Sequence, residues 1–240
     1  MKHRSISGRI EYTSRKPERL GQRRGFEAFR FTRHGDGSVV LTAHCEIEEP
    51  EPTVMRDIVY ALDESGRPKD LYVRLVVGDT FMGAGFVRLD AGNILCDSHG
   101  PSIGHLSQRL PADGAYDGFG THPIIADAYM TRCMDLALGP HKRAIRVFLP
   151  STDHRGATPP IVVESKMFLE YLGDDEVQTP AGRFLCRRFR FTDEAGGMVG
   201  AHGAHPPYDI WVTADEDSLF VQGGVGGYMQ TWYELTELQR

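Results

Sequence analysis

The chain has 240 residues, 40% hydrophobic and 25% charged, with a net charge of −6 when its histidines are neutral. This length allows a substantial core without disulfide staples, and the acidic balance argues against nucleic acid or anionic membrane as a partner, since both recruit excess Lys and Arg. No window approaches the roughly 20 consecutive apolar residues of a membrane span, and the N-terminal MKHRSISGRIEYTSRK lacks an apolar signal core, so a cytoplasmic location is expected.

Taken in order, strands are expected over residues 7–13, 24–32, 39–48, 54–62, 71–77, 81–89 and 93–97. Their short length and regular spacing, with Gly, Asp and Pro turns between, predict an antiparallel sandwich or barrel. Period-2 alternation assigns faces. Val39, Leu41, Ala43, Cys45 and Ile47 share one face, and Glu27 shares a face with Phe29 and Phe31. The basic residues Arg15, Lys16, Arg19, Arg23 and Arg24 read as a solvated hairpin region.

Residues 98–120 are rich in Gly and Pro and read as a long loop. A helix is expected over 124–138, with Thr121 as N-cap, Pro123 near its first position and Gly139-Pro140 as the stop. Strands follow at 143–149 and 161–172, with a turn region at 150–160 between them. Residues 174–237 predict four more strands, and GGVGG at 223–227 reads as a turn between two of them. No domain boundary is evident, so residues 1–240 are read as one domain.

The text EVQTPAGRF at 176–184 resembles a hairpin that recurs in a bacterial family of unknown function. There it is followed by a Trp-bearing strand, here Ile210-Trp211-Val212, and a closing strand, here YELTEL. The resemblance covers roughly residues 160–240. It implies a mainly β fold like that of lipoprotein carriers: a strongly curved antiparallel sheet, half-barrel or barrel, whose concave face is covered by one helix and a long loop. Members of that family are usually exported. In size and strand order the chain is also similar to small cofactor-free lyases of aromatic-degrading bacteria, the gamma-formaldehyde lyases of phenylcoumaran catabolism.

Chemistry is sought on strand faces and in histidine-bearing loops. His44 and Glu46 share one face, Arg56 and Tyr60 another, and Tyr72 and Arg74 a third. If these faces coincide, the patch suits proton abstraction from a phenol or alcohol, with arginine holding the developing anion. If they meet water, they are cross-strand ion pairs on an outer surface. His122 follows a glycine-rich loop at a helix start, where the dipole favours a neutral base, and Tyr129 lies about two turns later. His202 and His205 occupy a Gly/Pro-rich loop, and His205, Tyr208 and Trp211 are the C-terminal contributions to substrate binding.

Cys45, Cys96, Cys133 and Cys186 show no C-x-x-C spacing. There is no H-E-x-x-H, G-x-S-x-G, G-x-G-x-x-G or Walker A sequence, so neither a metal nor a nucleotide cofactor is expected. Three functions remain. One is a cofactor-independent lyase that uses His122, Tyr72, Arg74 and His44 on a small hydrophobic or aromatic molecule. Another is a non-catalytic carrier of such a molecule, whose cavity wall would be almost wholly apolar. A β protein that pairs sheet edges, as in a homodimer, is a third.

Overall fold

The computed structural model describes residues 3–90, 92–112, 116–193, 199–200 and 203–240. The N-terminal half forms β1 (Arg4–Ser14), β2 (Arg23–Arg33), β3 (Val39–Ile47), β4 (Val54–Leu62), β5 (Pro68–Val77), β6 (Thr80–Asp90), β7 (Asn93–Gly100), β8 (Gly104–Pro111) and the short β9 (Gly118–Phe119). One helix, α1 (Ile124–Met130), follows. Then come β10 (His141–Leu149), β11 (Val163–Thr179), β12 (Gly182–Thr192), the two-residue β13 (Val199–Gly200) and β14 (Gly203–Ala204), β15 (Tyr208–Thr213), β16 (Phe220–Val225) and β17 (Thr231–Gln239).

Fifteen of these strands form one curved sheet that does not close into a barrel. Its order is β8-β7-β6-β5-β4-β3-β2-β1-β17-β16-β15-β12-β11-β10-β9, antiparallel except where β9 meets β10. The first and last long strands pair at its centre, Tyr12 opposite Tyr233. Each half is therefore a run of hairpins, and the β1–β17 ladder joins the two runs.

Alternation sets the inside. Leu41, Ile58, Leu71, Val87 and Ile94 from one half share a buried core with Ile145, Leu169, Ile210 and Leu235 from the other. The sheet thus wraps around its own inner faces, and α1 fills the centre with Ile125, Ala126 and Ala128 fully buried. Edge strand β8 meets the segment that leads into β11 through a side chain rather than a strand ladder. The Gln108 amide donates to the Val162 carbonyl at 3.2 Å and accepts from the Val162 N–H at 2.9 Å.

Three local expectations change. Much of the expected 98–120 loop is a hairpin, with β7 extending to Gly100 and pairing with β8. The helix is one short segment, and residues 131–133 and 136–138 are separate 3-10 turns. Its N-cap position is Pro123, not Thr121. Glu27 reaches across from β2 instead and accepts from the Ile124 and Ile125 N–H groups at 2.7 and 3.0 Å, satisfying two of the donors that a helix start leaves open. In the 223–227 run, Gly223 and Gly224 belong to β16. The TPAG turn is as read: Thr179 pairs with Gly182, whose φ of 138° favours glycine.

Candidate functional site

The ends of β12, β15, β16 and β17 and the first turn of α1 enclose a chamber of about 110 Å³. Its polar lining comprises His122, Asp127, His154, Thr192, Asp193, His205, Tyr208 and Tyr233. Its apolar lining includes Ile124, Phe191 and three methionines, Met130, Met167 and Met229. An outer chamber of about 490 Å³ shares His122, Ile124, His154, Met229 and Tyr233 with it and reaches Lys16, Arg24, Glu49 and Tyr228.

His122 stands at the junction. Its backbone has φ 71°, unusual for a residue with a side chain, and its buried Nε2 has no hydrogen-bond partner among the described residues. Gly156 packs against the ring so closely that a Cβ there would sit 2.8 Å from it. Burial, then the Arg56 cation, then His154 and His205, hold His122 well below the ordinary imidazole value, so it is neutral. His154 in turn meets His205 edge-on, ring centres 4.9 Å apart, and its Nδ1 meets the Tyr228 hydroxyl.

Asp127 follows Ile124 by one helical turn and faces the same chamber. Burial, with the Glu27 carboxyl behind it, pushes Asp127 well above the ordinary carboxylate value, which favours its protonated form. The Tyr208 hydroxyl lies beside it, and burial and Asp127 push that phenol up. Its placement falls short of a full hydrogen bond, which leaves the hydroxyl buried without a partner among the described residues. His205 donates from Nδ1 to the Pro206 carbonyl at 2.7 Å. Burial lowers this imidazole against that bond and Asp193, so the neutral ring keeps its Nε2 as an acceptor.

Beneath the chamber Glu27 is fully buried, and its Oε2 accepts from the Tyr12 hydroxyl at 2.9 Å. Burial pushes this carboxyl up to about 7 against its three hydrogen bonds and the pull of Arg56. Arg56, 1% exposed, donates to the Arg155 and Gly156 carbonyls at 2.6 and 2.8 Å. It thereby ties the 150–160 segment over His122.

The structure brings together His122, His205 and Tyr208, with Arg56 one layer behind His122. It does not bring the others to this chamber. His44, Glu46, Tyr72 and Arg74 lie on the outer face, with His44 bonded to Asp57 and Glu46 and Tyr72 41% exposed. The reason is register: Cys45 opposes Arg56 and Arg56 opposes Leu75, so Arg56 and Tyr60 turn inward while the neighbours of Cys45 and Leu75 turn out. Tyr60 and Tyr129 line a different hollow across α1, with Tyr116 and Arg132. Trp211 belongs to a small outer-face cluster with Val177, Cys186 and Val221, and its Nε1 donates to Asp175. His202 lies outside the described residues.

Sequence reasoning did not assign Glu27, Asp127, His154 or Tyr233 to the site. Glu27 did carry a signal, a carboxylate alternating with Phe29 and Phe31. Asp193 carried none. Among the described residues no group of three or more His, Cys, Asp or Glu is placed to hold a metal, and no helix is long and apolar enough to cross a membrane.

No protein-family model matches the chain, and no curated protein matches it. Its fold is similar to that of a β-barrel-like protein of the domain of unknown function DUF1849 from Brucella abortus. The likeness covers 99% of this chain and 96% of that one, with a TM-score of 0.59 and 13% identity. A candidate lipoprotein from Parabacteroides distasonis aligns over 98% of this chain and 94% of its own, at a TM-score of 0.34 and 8% identity. A candidate exported protein with YmcC-like fold from Bacteroides fragilis aligns over 98% and 95%, at 0.34 and 9%. The Brucella likeness shows the β-barrel-like fold and leaves the chemistry to the site.

Proposed function

We propose that this protein binds a small, partly apolar molecule that carries a hydroxyl, phenol or carbonyl oxygen. The observation that carries this reading is a buried polar atom, His122 Nε2, with no partner among the described residues, on a residue that lines one chamber with Tyr208 and Asp127. Buried polar atoms are rarely left unpaired, because each costs about 1–3 kcal/mol. A ligand oxygen supplies the missing bond, while the methionines adapt to its apolar part. A carrier of plain hydrocarbon calls for a wall almost wholly apolar, and eight of the sixteen described residues that line this chamber are polar. Titration calorimetry with phenol, acetophenone and cyclohexanol tests the reading against decane or a long-chain alkane. Binding of the oxygenated probes but not the hydrocarbon supports it, and the reverse order overturns it.

A cofactor-independent lyase acting on a lignin-derived aromatic is a second reading. It is favoured by an imidazole held low and a carboxyl held high facing one chamber, with an adjoining space large enough for a second ring. Formaldehyde release from phenylcoumaran-type dimers tests it, and absence of turnover across such dimers overturns it.

A further inference from the structure

We infer that the chamber moves a proton between carbon and oxygen of a small uncharged carbonyl compound, with His122 Nε2 as proton acceptor and Asp127 as proton donor. The inference rests on the ligand-binding reading above and adds a reaction to it.

Both groups line the same chamber, and His122 Nε2 meets no hydrogen-bond partner among the described residues. Neither Lys nor Arg is among the described residues that line the inner chamber, and burial holds two of its imidazoles, His122 and His205, low, which favours an uncharged group there. Arg56 lies one layer behind, held by the Arg155 and Gly156 carbonyls. Its field favours negative charge as it develops on a ligand oxygen.

In the step itself, His122 Nε2 takes the proton from the carbon next to the carbonyl. The electron pair of that C–H bond becomes the C=C bond. The carbonyl π pair moves to oxygen, which takes the proton of Asp127. An enol, an imidazolium and a carboxylate result, and no oxidant or co-reactant is needed. Because His122 lines both chambers, its proton can exchange with water in the outer one before the step reverses. A keto–enol equilibrium run in this way exchanges the α-hydrogens with solvent.

The test is deuterium uptake by acetophenone in D2O at neutral pD, followed by loss of its methyl proton signal, with acetophenone binding measured separately by saturation transfer. Wild-type protein is expected to exchange the methyl hydrogens faster than buffer. His122→Gln and Asp127→Asn are each expected to slow this by about 100-fold or more at acetophenone concentrations that saturate each folded variant, the scale of general acid–base catalysis and a loss that weaker binding does not account for. Phenol, which has the oxygen and ring but no exchangeable methyl group, is expected to suppress wild-type exchange, a readout that needs no variant to fold. Binding without exchange overturns the inference and leaves the ligand-binding reading standing. No binding overturns both. Exchange that survives phenol, or survives in both folded variants, overturns the assignment to this chamber.

Discussion

The Tyr12 hydroxyl donates to the Glu27 carboxyl at 2.9 Å in the interior, and the same carboxyl holds the start of α1. Strand β1, strand β2 and the helix that carries Asp127 are thereby fixed to one buried group. Deleting it leaves two helix N–H groups and a phenol unpaired. Glu27→Ala is expected to cost about 3–5 kcal/mol and Tyr12→Phe about 1 kcal/mol, read as shifts in urea midpoint at constant slope.

The same carboxyl makes stability fall as pH rises. Its ordinary value is 4.5 and burial raises it to about 7 in the folded protein, so between these values the folded state holds the proton more tightly than the unfolded one. The resulting stability is fully present below pH 4.5 and is lost as pH passes 7. A shift of this size corresponds to on the order of 3 kcal/mol. Asp127, also raised, adds a slope of the same sign, so Glu27 is isolated by comparing wild type with Glu27→Gln. Unfolding from pH 4 to 8 is expected to show the steeper decline in wild type. Parallel curves would sink the assignment.

Much of the fold was legible in the sequence. Strand bounds such as 54–62 and the TPAG turn follow from alternation and from a glycine at positive φ. What stayed hidden was long-range. Alternation puts Cys45 on an apolar face and His44 on the other, but only the register, Cys45 opposite Arg56, shows that the His44 face and the Arg56 face do not coincide. The cap of α1 is invisible locally because it comes from 97 residues away. The hairpin partner β8 escaped notice because it lies at a sheet edge, where only Leu106, Gln108 and Leu110 turn part of their surface inward.

The outer-face residues supply a contrast. His44 sits between Asp57 and Glu46 at the surface. Burial pulls its pKa down, but the two carboxylates outweigh this and leave it raised. Exposed pairs of this kind contribute about 0–1 kcal/mol. His44→Ala, Tyr72→Ala and Arg74→Ala are therefore expected to leave phenol binding unchanged and to shift stability by about 1 kcal/mol or less. Loss of binding in any of them would place the ligand on the convex face.

Gly156 is the tightest point over the chamber. Its φ is +64°, and an added Cβ would meet Arg56 Nη2 at 2.3 Å and the His122 ring at 2.8 Å, so it tolerates no side chain. Gly156→Ala forces the 150–160 segment away from Arg56 and turns His122. The expected result is a loss of about 2 kcal/mol or more and at least tenfold weaker phenol binding, measured by calorimetry on the folded variant. Unchanged affinity would show that His122 does not set the ligand's position.

The seam between edge strand β8 and the segment that leads into β11 rests on Gln108, whose amide gives and takes one hydrogen bond with the Val162 backbone. A side chain here does the work of a strand rung. The segment it holds runs on from Pro160, which packs over Gly83 and Gly85 of β6. Gln108→Ala leaves both Val162 groups without their partner and is expected to cost about 1–3 kcal/mol. The opening should be local, because the ladders on either side of the seam remain paired. Hydrogen exchange checks this directly. Faster exchange at Val162, with protection in β1 and β17 unchanged, is the expected pattern. Uniform loss of protection would mean that the seam holds the whole sheet closed.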